Sequence, residues 1–327
     1  MRRRAFIAGI GLAASWPLCA AAQTPGKIWR IGFLSGSSRE NVAQTGLASA
    51  FVQGMREQGY TEGKNFVIEW RFAEGRYDAV PKLAAELVEL KVDVIVLGTP
   101  AAVRPVQQAT STIPIVMAYS VDPVGSGFVA SLARPGGNTT GLASSLDETV
   151  AKQMELMTSV VPGLTRIGIV SNPGNRHASA LSTAELSART AGLALVSVDA
   201  TNSQGLADAF SKLVKERVGA AIILGDAYFN TERRLIAELA LSNRVPTVFS
   251  QRDYVVDGGL ISYGEALSEF FRRAASYVDR LIKGAKPGDL PVEQPTRFLL
   301  VINLKTARAL GLDVPLFLQQ RADEVIE

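Results

Sequence analysis

The chain has 327 residues, 47% of them hydrophobic, with 34 basic against 31 acidic side chains. That length is ample for a core and near the size at which chains divide into two domains. The near-balance of charge, without basic runs beyond the extreme N-terminus, argues against nucleic acid or an anionic membrane surface as a partner.

Arg2-Arg3-Arg4 open the chain, an apolar stretch runs from Ala5 to Leu18, and Ala20-Ala21-Ala22 precede polar Gln23. This is the charged, apolar and small-residue layout of a secretory signal peptide, so residues 1–22 are expected to be cleaved near Ala22 and the protein exported. Arg3-Arg4-Ala5-Phe6-Ile7 fits a twin-arginine signal as well as a general secretory one. The apolar stretch is shorter than the roughly 20 residues of a spanning helix, and Pro17 interrupts it. Cys19, the only cysteine, falls in this leader, so the mature chain would have no disulfide and no Cys-based metal site. Trp16-Pro17-Leu18 before it are too bulky for a lipid-attachment signal. Without the three leader arginines the mature chain balances at 31 basic and 31 acidic residues.

Beyond the leader, apolar and β-branched runs alternate with amphipathic stretches. Strands are expected over Trp29–Leu34, Phe66–Trp70, Val92–Leu97 and Ile113–Ala118. A second set follows at Arg166–Val170, Leu193–Val198, Ala220–Leu224 and Val245–Phe249. These are continuous rather than alternating hydrophobic runs, as parallel strands covered on both faces require. Between them lies a helix with Asp78 as cap, Pro81 in its first turn, and Val80, Leu83, Ala84, Leu87 and Val88 on one face. A later helix has Phe271, Ala274, Ala275, Val278, Leu281 and Ile282 as a stripe, Arg272, Arg273 and Asp279 opposite, and Gly284 as its stop. Ile113-Pro114-Ile115-Val116 and Val245-Pro246-Thr247-Val248 open corresponding strands, so the halves echo one another. A crossing strand at Gly141–Ser145, a helix at Met154–Val160 and late strands at Gly258–Tyr263 and Phe298–Ile302 suggest that the chain passes between domains more than once. The fold class expected is α/β, with two doubly wound parallel-sheet domains and a hinged cleft. The division reads as an N-terminal lobe at 23–144, a C-terminal lobe at 145–255, and shared crossover segments at 256–327.

The chemistry is defined first by what is missing. His177 is the only histidine, in a loop-like run after Asn172-Pro173-Gly174, which excludes a two-histidine metal site. There is no G-x-S-x-G elbow and no P-loop, and the dinucleotide-like glycines at Gly9-Ile10-Gly11 and Gly125-Ser126-Gly127 lack the flanking strand or acidic partner. No cofactor or metal is expected. What remains is a set of small and polar residues where strands should end. Ser35, Gly36 and Ser37 follow the first strand, Thr99 the third, and Ser171 and Asn172 the first strand of the second half. Hydroxyls and free backbone N–H groups there can converge on a carboxylate, although each is also an ordinary helix cap. Asp122 and Asp226 can face an amine or make local turns before Pro123 and Ala227. Tyr119, Tyr228 and Phe249 can stack on a flat ligand or belong to the core.

The run from Tyr119 to Gly141, YSVDPVGSGFVASLARPGGNTTG, resembles the central motif of a bacterial ABC-transporter substrate-binding family, of the tryptophan/tyrosine or TrpX-like type. Glu74-Gly75-Arg76-Tyr77-Asp78, Ile113-Pro114-Ile115-Val116 and Val301-Ile302-Asn303-Leu304-Lys305-Thr306-Ala307 match as well, so the similarity spans essentially all of the mature chain. The resemblance implies a type I periplasmic-binding fold that closes like a clamp. It implies delivery of the bound ligand to a membrane permease and its ATPase. The export signal, the duplicated halves and the lack of catalytic groups lead to the expectation of a non-enzymatic periplasmic receptor, a monomer, for a small carboxylate-bearing solute, an amino acid or aromatic acid. The alternatives are a sensor that docks on a membrane signalling protein, or an exported hydrolase using Asp122 and Asp226 as its carboxylate pair.

Overall fold

The computed structural model describes residues 27–175, 178–294 and 297–327. The leader with Cys19, and His177, lie outside the described residues. Strand β1 (Trp29–Ser35) leads through α1 (Arg39–Gln44) and α2 (Leu47–Glu57) to β2 (Phe66–Phe72). Then come α3 (Val80–Glu89), β3 (Val94–Leu97), α4 (Val103–Ala109), β4 (Ile115–Met117) and β5 (Thr139–Gly141). Hydrogen bonding orders these strands β2-β1-β3-β4-β5, all parallel. Every residue of β3 and β4 is buried, which is why those segments are uninterrupted apolar runs.

The second unit follows the same plan with α5 (Leu146–Val160), β6 (Arg166–Ser171), α6 (Ala178–Thr190), β7 (Ala194–Asp199), α7 (Ser203–Lys215) and β8 (Ala220–Ile223). It continues through α8 (Ala227–Thr231), α9 (Arg233–Ser242), β9 (Thr247–Phe249), α10 (Arg252–Val256) and β10 (Ile261–Glu265). After β10 the chain leaves for α11 (Leu267–Ile282), which packs on α2 and the first sheet, and then returns as β11 (Phe298–Asn303). Helices α12 (Leu304–Leu310) and α13 (Leu316–Arg321) and strand β12 (Glu324–Ile326) complete the chain. The second sheet is seven-stranded, ordered β12-β11-β10-β9-β8-β6-β7.

This sheet departs from the all-parallel expectation. Strand β11 runs antiparallel to β10, and β12 parallels β11. The reason is the path: β11 arrives from α11, which sits on the first lobe, so it enters the second sheet from the cleft end and runs back. Passages between lobes therefore occur near Leu142–Ser145, at Ala266 and ahead of Phe298. Within the first of these, the expected crossing strand at Gly141–Ser145 reduces to isolated bridges from Leu142 to Glu293 and from Ser144 to Val121.

Local readings needed further correction. Asp78 is not a helix cap: Tyr77–Ala79 form a short 3-10 turn, and α3 starts at Val80 without a side-chain cap, although Pro81 does sit in its first turn. Strands β3, β4 and β9 begin two residues later than their apolar runs, so Pro114 and Pro246 lie just ahead of the ladder. Asp279, expected to face solvent, is buried and accepts a 3.1 Å hydrogen bond from the Tyr60 hydroxyl. Tyr60, just beyond α2, covers that flank of α11, and burial followed by the Asp279 contact pushes its pKa up to about 12.

The contact between α2 and α11 is close because Gly54 has no side chain. A Cβ there would collide with the Arg272 carbonyl oxygen and lie 2.8 Å from the Ala275 Cβ. Gly54→Ala is expected to destabilise the protein by about 1–3 kcal/mol through overpacking, measured as a lowered urea midpoint with unchanged slope.

Candidate functional site

The carboxyl ends of β1, β3 and β4 face those of β6, β8 and β9 across the interlobe cleft, where open α/β sheets bind ligands. Between them lies an inner cavity of about 40 Å³, lined by Ser35, Thr99, Tyr119, Asp226, Gln251 and Phe271 among others. At roughly 10–15 Å³ per water, this space holds a few waters. Two larger cavities, of about 350 and 290 Å³, lie around the loop that carries Asp122. Pro100 and Asn175 line both the inner cavity and the larger of these.

Each lining group is placed by its strand end. Ser35 is the last residue of β1, and its Oγ accepts the Ser37 N–H at 3.1 Å. Ser38 caps α1, accepting from the Asn41 N–H, and the Ser37 hydroxyl donates to Asn41 Oδ1 at 2.9 Å. Gly36 is a point of close approach between the lobes: a Cβ there would sit 3.0 Å from the Ala227 Cβ and 3.1 Å from the Thr99 side chain. Tyr119 packs edge-on against Phe270. Burial first, and the nearby Glu265 carboxylate second, raise its pKa, so its hydroxyl remains protonated.

Asp226 is 4% exposed and caps α8 through the Phe229 N–H at 3.0 Å. It also accepts from Asn172 Nδ2 and Asn175 Nδ2, each at 3.1 Å, and from the Tyr77 hydroxyl at 2.6 Å. Both carboxylate oxygens are thus doubly occupied, which corrects the expectation that Asp226 is free to face an amine. Gln251, by contrast, lines both this cavity and a neighbouring one of about 200 Å³, and its side-chain amide makes no hydrogen bond among the described residues.

The structure therefore brings Ser35, Ser37, Thr99, Tyr119 and Asp226 together, with Gly36 and Asn172 at their edges. Three predicted residues are not brought in. Ser171 lies opposite Asp199 of β7, and its hydroxyl bonds that carboxylate at 2.7 Å. Tyr228 lies over the Gly75 backbone, with its hydroxyl 3.2 Å from Ser203 Oγ, outside the inner cavity. Asp122 is exposed at a positive φ of 39° and accepts the Gly125 N–H at 2.8 Å, the local turn that was its other reading. It lines only the outer cavities. Sequence reasoning missed Gln251, Phe271 and Tyr77. Gln251 follows a strand, like the residues that were found. Phe271 lies in a core-like helical stripe, and Tyr77 falls in the Glu74–Asp78 match, which pointed to the family but not to the cleft.

The passages between lobes are joined by Glu265. Its carboxylate accepts the Ser144 hydroxyl and, at 2.7 Å, the Ser145 N–H, tying the end of β10 to the segment that leaves the first lobe.

These features are those of a two-lobed α/β protein with a cleft between the carboxyl ends of its two sheets. Residues 31–326 match the family model described as ABC transporter substrate binding protein, and the chain belongs to that family. It is 26% identical over 264 residues to a tyrosine-binding protein of Clostridioides difficile, covering 80% of this chain and 75% of that one. Among solved structures, a conserved domain protein from Vibrio cholerae superposes with a TM-score of 0.84 at 28% identity, covering 91% of this chain and all, 100%, of that one. An ABC domain from Streptococcus pneumoniae in complex with L-Trp superposes with a TM-score of 0.83 at 25% identity, covering 92% and 100%.

Glu265 generates a pH prediction. Burial raises its carboxyl pKa above the ordinary value of 4.5, the bonds from Ser144 and Ser145 oppose that, and Glu148 adds to it. The native state then binds a proton more tightly than the unfolded chain, so this group's contribution to stability falls as pH rises above 4.5. Glu265→Gln is expected to flatten that fall, measured by urea unfolding between pH 4.5 and neutrality.

Proposed function

We propose that the protein is the exported solute-binding component of an ABC uptake system. In this reading residues 1–22 direct export to the periplasm, and lobes at 23–144 and 145–255, with shared segments at 256–327, close on a small carboxylate-bearing solute. The solute is an amino acid or aromatic acid, and the closed form is handed to a membrane permease and its ATPase. The observation that carries this is the inner cavity between the strand ends of both sheets. Tyr119, Phe271, Val42 and Leu47 give it an aromatic and aliphatic wall suited to a ring. No lysine or arginine lines it among the described residues, so a ligand carboxylate would be taken by the hydroxyls of Ser35 and Thr99. With Asp226 saturated, an ammonium group falls to the amide oxygen of Gln251. The tyrosine-binding and L-Trp-bound relatives support an aromatic amino acid in particular. A molecule of that size exceeds the inner cavity of about 40 Å³, so binding requires the lobes to part and close again, a shift between existing states.

A thermal-shift screen of the mature protein against L-tyrosine, L-tryptophan, L-phenylalanine and aromatic acids tests the proposal. Ligand at a hundred times its Kd stabilises by about 2.7 kcal/mol, so a dose-dependent rise in Tm is expected without turnover of the compound. No shift across the panel, with no small molecule released on denaturation, would overturn it. Gln251→Ala is expected to weaken binding about tenfold, or ~1.4 kcal/mol, while leaving the Tm of the ligand-free protein unchanged, read by calorimetric titration.

A further inference from the structure

Tyr77 stands just ahead of α3 in the first lobe, yet every polar contact of its hydroxyl but one is with the second lobe. It donates to Asp226 Oδ2 at 2.6 Å and accepts the Ala227 N–H at 3.2 Å. The remaining partner, the Thr99 side chain, is a cavity-lining group of its own lobe. The Tyr77 ring lies against Gly174, where a Cβ would approach Tyr77 Cδ2 to 3.1 Å. Burial, then the Asp226 charge, raise the pKa of the phenol, so it stays a donor. On the other side, Asp226 is held in place by Asn172, Asn175 and the first turn of α8. A receiving group pre-set by its own lobe thus meets a single side chain from the opposite one.

We infer that Tyr77 is the positioning residue that latches the lobes closed over the ligand, acting through Asp226 and the Ala227 N–H rather than by touching the solute. The inference rests on the two-lobed solute-binding reading, but its geometry is independent of which solute is bound. When the lobes separate, Asp226 loses one of four donors and Tyr77 regains water, so the latch adds to closure without locking it. Its effect falls on the lifetime of the closed state. A second set of cross-lobe bonds, from Asn41 Nδ2 to the Asn230 carbonyl at 2.8 Å and from Arg233 to Gln44 Oε1 at 3.0 Å, does not involve Tyr77. Removing the phenol oxygen should therefore weaken closure and not abolish it.

The test is Tyr77→Phe, which keeps the ring against Gly174 and deletes both cross-lobe bonds. Stopped-flow binding of L-tryptophan and L-tyrosine is expected to show dissociation faster by about tenfold, an association rate little changed, and the same order of preference between the two. A second readout needs no ligand: spin labels at Lys82→Cys in α3 and Lys212→Cys in α7, both exposed, report the interlobe distance. The variant should lose part of the short-distance population at unchanged Tm. Unchanged dissociation rates and an unchanged distance distribution would overturn the inference. A lengthened distance in a protein that binds neither amino acid would support the latch and refute the ligand assignment. Altered preference between the two ligands would make Tyr77 a ligand contact, against the inference.

Discussion

Asp226 is a carboxylate placed where two lobes meet, almost out of reach of water, and the cleft is organised around satisfying it. Burying such a group without partners costs several kcal/mol, so its surroundings must supply donors. Two asparagine side chains and a helix N–H come from the second lobe, and the last donor comes from the first, through Tyr77. The same requirement explains why Asn172 and Asn175 lie in one short turn after β6, and why Gly174 between them leaves room for the Tyr77 ring. Asp226 is therefore committed to the protein itself, whereas the Gln251 side chain makes no hydrogen bond among the described residues.

Topology creates this meeting point. Parallel strands linked by helices release their carboxyl ends along one edge, and duplicating the plan sets two such edges face to face. The passages between lobes then decide how the edges move. Because α11 belongs to the first lobe while β10 and β11 belong to the second, the late part of the chain ties the two bodies together near Glu265. The inner cavity of about 40 Å³ lies beside larger cavities around the Asp122 loop.

Much of this was legible in the sequence, and the failures share a cause. Hydrophobic periodicity placed the parallel strands of both halves because burial on both faces writes itself as continuous apolar runs. It set β3, β4 and β9 two residues early, since approach segments are as apolar as the strands they enter. The rule that small polar residues end strands found Ser35, Ser37, Thr99 and Asn172. It did not hold for Ser171, whose hydroxyl bonds Asp199, and the separate reading of strand-end aromatics did not hold for Tyr228, whose hydroxyl lies by Ser203. Asp122 carried the strongest motif and proved to be a turn residue.

The sequence alone determined the class of fold, the existence of two similar halves and the family, because these depend on patterns repeated over hundreds of residues. Only the tertiary structure decided that β11 runs antiparallel to β10, that Asp279 is buried, and which polar groups are already spent. Whether a carboxylate is available to a ligand depends on donors far away in the chain, here 149 residues away in the case of Tyr77. No local pattern records a bond of that kind, since it exists only when the two lobes meet.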